Sequence, residues 1–168
     1  MPCASVNTSA PPRTVILGIG NWLLGDEGVG IHLINALNEH LAGYASVTTV
    51  DGGTSPDAML QLDDVDRLIV LDAINGGLKP GTIYRFAGGD IQRLKSPGIS
   101  LHEWNAADSL IAMSLMGKLP RETVVIGIEP ERVDWSTELS ATVGSKIPEV
   151  IGLVLNEIQA NKLAGGTR

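Results

Sequence analysis

The chain is short of the features that staple, anchor or electrostatically steer many proteins. It has one cysteine, Cys3, in 168 residues. That excludes an internal disulfide framework, and no base stands beside Cys3 to make it a nucleophile. It has no positive excess: the formal charge is −7, which repels phosphate backbones and excludes nucleic acid as a partner. No apolar run reaches the ~18 residues of a membrane span, so no membrane association is expected. The opening stretch MPCASVNTSAPPR lacks the apolar centre of a secretory leader. A cytoplasmic protein is the expectation, with residues 1–13 as a flexible tail. Several catalytic signatures are missing too. There is no G-x-S-x-G elbow and no G-K-[ST] of a P-loop. H-E-x-x-H is absent as well, since Ala36 stands four places after His32.

What is present has the order of an α/β protein. Hydrophobic residues make up 43% and glycines number 20, although only 4% is aromatic. This length suits one domain that buries roughly 70% of its unfolded surface. TVILGIG (14–20) reads as a buried strand. Val29, Leu33, Leu37 and Leu41, with Ile34 beside them, have helical spacing, and Gly43 is a plausible stop. ASVTTVDGGT is a second strand and turn. SPDAMLQLDD is a short helix with Ser55 as N-cap and Pro56 in the first helical position. DRLIVLDAI (66–74) is the most apolar strand and belongs at the centre of the sheet. NGGLKPGTIYRF gives a turn and an edge strand, LHEWNAADSLIAMSLMG a helix, and ETVVIGIEP a further buried strand. The last helix runs from about Ser140 past Ile158. Continuous apolar strands alternating with helices predict a three-layer α/β/α sandwich with a mostly parallel twisted sheet of about five strands. One domain, 14–160, is expected, with a loose C-terminal tail at 161–168.

In such a sheet ligands bind beyond the carboxyl ends of the strands. GIGNWLLGDEG, VDGGT and LIVLDAIN bring Asn21, Asp26, Glu27, Asp51 and Asp72 to that rim, and His102 opens the helix after the long loop 75–100. A dinucleotide site fits poorly. The third glycine of G-x-G-x-x-G falls on Leu23, and two adjacent acids would face a pyrophosphate. A metal site fits better: Glu27 and Asp72 are hard oxygen donors, His102 a nitrogen donor, and three ligands leave open positions for substrate. Nickel or zinc would accept this set. Blander roles stand beside it, with Glu27 offsetting the first helix dipole and His102 capping its own helix. Asp51 and Asp72 could alternatively form an aspartyl-type dyad. His32 and His40 read as structural or surface residues, and Trp22 as the tryptophan that would line a groove.

The same residues carry a resemblance. GIGNWLLGDEGVG, DGGT, LIVLDAI, ISLHEW and GIEPERVDWSTELSATV, in this order, resemble the [NiFe]-hydrogenase maturation endopeptidases from about Val15 to Ile158. The resemblance implies an endopeptidase that removes the C-terminal extension of a hydrogenase large-subunit precursor after nickel insertion. It implies that Glu27, Asp72 and His102 hold the substrate's own nickel, with no organic cofactor. The first position varies between Asp and Glu in that family, so Glu27 departs from nothing essential. The acids Asp26 and Glu27 then make a cation cradle, and nickel supplies a contact present only in loaded precursor. Asp51 is a possible base. Gly52, Gly53 and Thr54 would bind substrate backbone, and Asn21 could donate to an oxyanion. The large-subunit precursor is the expected partner of a monomer. A non-catalytic nickel-binding maturation chaperone is the alternative, and a nucleotide-dependent oxidoreductase the third reading.

Overall fold

The computed structural model describes residues 12–90 and 106–164. Five strands form one sheet: β1 (Thr14–Gly18), β2 (Val47–Asp51), β3 (Arg67–Ala73), β4 (Ile83–Ala87) and β5 (Glu122–Ile128). Their order is β2-β1-β3-β5-β4. The first four strands in that order run parallel, and β4 closes the far edge antiparallel to β5. All seven residues of β3 are buried while β2 is half exposed. This is why the central strand is an unbroken apolar run and the edge strand, VTTVD, is mixed.

The helices are α1 (Val29–Asn38), α2 (Ala106–Leu115), α3 (Ala141–Gly144) and α4 (Ile147–Ala164). Alternating strand residues feed two cores. Ile16, Ile69, Leu71 and Ile126 face α1 and α4, meeting Leu33, Leu37, Val150 and Val154. Val15, Leu17, Leu68 and Val70 point the other way, to Leu110 and Met113 of α2 and to Met59. The three layers follow from this two-residue period on each strand.

Several boundaries differ from the sequence expectation. The first helical segment opens as a 3-10 turn, Gly25–Gly28, and α1 stops at Asn38 rather than at Gly43. The Asn38 side chain there accepts from the Thr49 hydroxyl of β2 at 2.7 Å, and His40 N–H bonds back only to Leu37. The chain must turn at this point to enter β2. Pro56–Gln61 is a 3-10 helix whose flanking Ser55 makes no side-chain cap bond. The last helix is two pieces. Ser140 caps α3 by accepting from Val143 N–H at 3.2 Å, and α4 starts afresh at Ile147. α4 then continues to Ala164, four residues into the segment expected to be a loose tail. No helix among the described residues is long and apolar enough to cross a membrane.

Candidate functional site

The β1–α1 connection is pressed onto the strand ends by missing side chains. A Cβ at Gly30 would lie 2.2 Å from the carbonyl oxygen of Ile19 and 2.4 Å from that of Leu71. Backbone meets backbone here because nothing larger than hydrogen fits. At Gly20 the φ angle is +147°, and a Cβ would stand 2.0 Å from the carbonyl oxygen of Glu27. These two glycines lower the 3-10 turn, with Asp26 and Glu27, onto the carboxyl ends of β1 and β3.

That approach brings Glu27 to Asp72. Asp72 sits in the last turn of the ladder on β3 and is only 9% exposed. Its Oδ1 accepts from Ala73 N–H at 2.8 Å. Burial pushes its pKa up from the ordinary 3.8 to about 8; the Ala73 bond opposes this, and the nearby charge of Glu27 adds to it. One carboxylate oxygen of Glu27 is itself buried. Burial makes the charge on Asp72 costly, and a divalent cation beside it would offset that cost. The pair therefore fits a metal as two oxygen donors. The third expected ligand, His102, lies outside the described residues, among which no group of three His, Cys, Asp or Glu side chains is gathered for a metal.

Asp26 corrects the expectation of a two-acid cradle. It is fully buried and its carboxylate is taken up by backbone. Oδ2 accepts from the N–H groups of Glu131 and Arg132 at 2.9 and 2.8 Å, and Oδ1 from Ser140 N–H at 2.7 Å. Asp26 N–H in turn donates to the Arg132 carbonyl at 3.0 Å. Adjacent residues on a 3-10 turn point roughly 120° apart, so one acid faces Asp72 while the next clamps the 129–140 loop.

Asp51 ends β2 beside a groove of about 500 Å3 lined by Gly20, Asn21, Trp22, Ile31, Asn35, Gly53 and Thr54. Its Oδ1 accepts from Gly53 N–H at 2.8 Å. Gly52 N–H donates to the Gly18 carbonyl and Gly20 N–H to that of Gly53, which stitches the DGGT turn to β1. Asn21 spends its side-chain oxygen on Leu23 N–H at 3.0 Å. Asp51 is in register with Gly18 and, across β1, with Leu71. Asp72 is the next residue along β3, so its side chain leaves the opposite face of the sheet. The strand spacing also sets the two backbones roughly 10 Å apart. The register thus separates Asp51, in the groove, from Asp72, which has Glu27 nearby.

One further residue of the rim escaped the sequence reading. Glu129, 4% exposed, accepts from Gly76 and Gly77 N–H at 2.8 and 3.2 Å and from the Tyr84 hydroxyl. It ties down the loop that follows Asp72, and burial together with this carboxylate raises the Tyr84 pKa to about 12. A lone acid between an apolar strand and Pro130 was the available signal. His32, read as structural, stacks on Trp22 with ring centroids 4.0 Å apart. Burial lowers its pKa, against a backbone bond at Thr137 and the charge of Asp26. It braces Trp22, which lines the groove.

The chain as a whole is similar to known proteins. The family model HycI, described as hydrogenase maturation protease, matches residues 31–157, a span that includes Asp51 and Asp72 and begins after Glu27. The chain is 36% identical over 143 residues to the hydrogenase expression/formation protein HupD of Rhizobium leguminosarum bv. viciae, covering 83% of this chain and 71% of that protein. It is 32% identical over 145 residues to the hydrogenase 2 maturation protease of Escherichia coli K12, covering 85% and 88%. Among solved structures it is similar to the hydrogenase maturating endopeptidase HybD from E. coli, with a TM-score of 0.76, 28% identity, and 89% and 93% of the two chains covered. The [NiFe] hydrogenase maturation protease HybD from Thermococcus kodakarensis gives 0.73 and 28%, covering 87% and 99%.

Proposed function

As a member of the hydrogenase maturation protease family, the chain is an endopeptidase that processes the C-terminus of a hydrogenase large subunit, and we propose that it recognises nickel in that substrate through Glu27, Asp72 and His102. The carrying observation is the enclosure of the Glu27 and Asp72 carboxyls at the end of β3. Each is a hard donor, and together they are better satisfied by a cation than by each other. His102 is assigned the nitrogen position from the family motif ISLHEW. The metal is cargo of the precursor. When bound it would mark the loaded precursor and could polarise the bond to be cut.

The remaining residues divide the work. The groove beside Asp51 would take the extended tail of the precursor. The backbone of Gly53, the Thr54 hydroxyl and the Asn21 amide would supply polar partners along it, while Gly52 holds the turn to β1 through its N–H bond to the Gly18 carbonyl. Asp51 is exposed there, and it is our candidate for the base that takes a proton from an attacking water. Asp26 and Glu129 hold the two loops that frame the pair. We assign the reaction to the cytoplasm and to a monomer. The chaperone reading gives way to the family's peptidase activity. The oxidoreductase reading gives way to the acids at the start of α1, where a dinucleotide would need an anion site.

Mass spectrometry of a nickel-loaded large-subunit precursor, incubated with the protein, tests this. Glu27→Gln, Asp72→Asn and His102→Ala should each slow release of the C-terminal peptide by about 100-fold or more, since loss of even an outer partner of a metal ligand costs 10–100-fold. Asp51→Asn should slow it with nickel binding retained. Cleavage of nickel-free precursor at the loaded rate, or wild-type rates in the His102 variant, would remove nickel recognition from the account.

A further inference from the structure

Seven large apolar side chains are prominently exposed among the described residues: Trp22, Leu23, Leu78, Leu115, Met116, Val133 and Trp135. Their placement is uneven. Leu115 and Met116 close α2 at the amino-end rim, where the chain turns to enter β5. The other five lie on loops of the carboxyl-end rim, the rim of the Glu27–Asp72 pair. Trp135 is 82% exposed and Leu23 50%.

Four of these belong to two loops built as one body. Ser136 N–H donates to the Leu23 carbonyl at 3.0 Å, and Gly25 N–H to the Ser136 carbonyl at 2.7 Å. The buried Asp26 carboxylate adds its three bonds to Glu131, Arg132 and Ser140. Trp22, Leu23, Val133 and Trp135 are therefore presented on a fixed scaffold. A partner meeting them would find much of the ordering cost already met. Tryptophan is the residue most often found at the energetic centre of protein interfaces.

We infer that Trp22, Leu23, Val133 and Trp135 form a docking patch for an apolar surface on the folded body of the large-subunit precursor, next to the root of its tail. The inference rests on the proposed function and extends it from the tail to the body of the client. Continuity carries the choice of occupant. Processing requires the precursor to meet this rim, and Trp22 belongs both to the patch and to the groove with Asp51 and Gly53. A second copy of this chain seated on Trp22 would block that groove. The patch then decides which precursor is held, while the groove and the carboxyl pair decide whether its tail is cut.

The test uses full-length chains and a nickel-loaded large-subunit precursor of the host's own [NiFe] hydrogenase. Calorimetry measures its dissociation constant for the wild type, for L23S/W135S, and for L115S/M116S as the opposite-rim control. All these positions are exposed, and thermal melts of both variants verify folding. The expected result is a rise of about tenfold or more for L23S/W135S alone. Cleavage rates should show the same rise in KM with kcat within about twofold, since neither residue touches the carboxyl pair. Equal dissociation constants for the two double variants, or no binding of precursor by the wild type, would overturn the patch. So would a wild-type dimer that L23S/W135S converts to monomer in sedimentation, because that would give the surface to a second copy. Tight wild-type binding lost in L23S/W135S, with the precursor left uncut, would uphold the patch and overturn the peptidase reading instead.

Discussion

Asp72 concentrates the conflict between stability and function in a single side chain. Its carboxyl is buried beside Glu27, and its pKa stands near 8 where an unfolded chain would have about 4. A raised carboxyl pKa means that the stability this group allows is complete below the unfolded value. It is lost as pH climbs through the folded one. In nickel-free protein, Asp72→Asn keeps an oxygen for Ala73 N–H and an N–H for Glu27, and it carries no charge to bury. It should therefore melt higher than wild type, by several degrees at pH 8–9, with the gap closing toward pH 5. Melting curves across that range check it; a gap independent of pH would mean that burial of Asp72 carries no such cost. Asp26 is also buried, but its oxygens accept from three backbone N–H groups. Burial alone does not separate the two carboxylates; the partners do.

At the scale of elements, the site depends on how closely α1 lies on the sheet. Gly30, one residue into α1, sits against the carbonyls of Ile19 and Leu71. Gly30→Ala would demand that the helix lift by more than an ångström or that β3 bend. It should cost about 3 kcal/mol, at the upper end for overpacking. It should also lower processing beyond what the lost folded fraction explains, because the lift carries Glu27 away from Asp72. Denaturant titration against single-turnover cleavage would separate the two effects. A Gly30→Ala variant as stable as wild type would show that the contact yields easily. The helical periodicity of Val29, Leu33 and Leu37 was legible in the sequence because packing on β1 and β3 demands it. The stop at Asn38 was not, since it is set by a side-chain bond to Thr49 in another strand.

For the molecule as a whole, the rim opposite the site supplies the tie between layers. Arg67, buried at the start of β3, donates to the carbonyl of Glu157 in α4 and pairs with its carboxylate at 2.8 Å. Arg85 of β4 reaches the other oxygen of Glu157 at 2.6 Å. One helix residue thus joins the central strand to the far edge. Arg67→Ala should destabilise the fold by roughly 1.5–3 kcal/mol, the range for hydrogen bonds to a charged group, because Arg85 still holds Glu157. Its effect on KM for precursor should be small, since the docking face lies at the other end. Chemical denaturation and steady-state cleavage measure both quantities.

The sequence alone determined the layer architecture, the central place of LIVLDAI and the family. Apolar periodicity and short motifs are local properties, and a strand covered on both faces must be written in consecutive apolar residues. It also carried Glu27 and Asp72 as partners through the motifs around them, and Trp22 as the lining of a groove. Tertiary structure alone decided that Asp26 serves a distant loop, that Asp51 and Asp72 leave opposite faces of the sheet, and that Glu129 secures the loop after Asp72. Those outcomes depend on strand order, on register and on which backbone N–H groups converge across more than a hundred residues. No short window of sequence contains that information, because the partners that fix each carboxylate are brought to it only when the sheet is assembled.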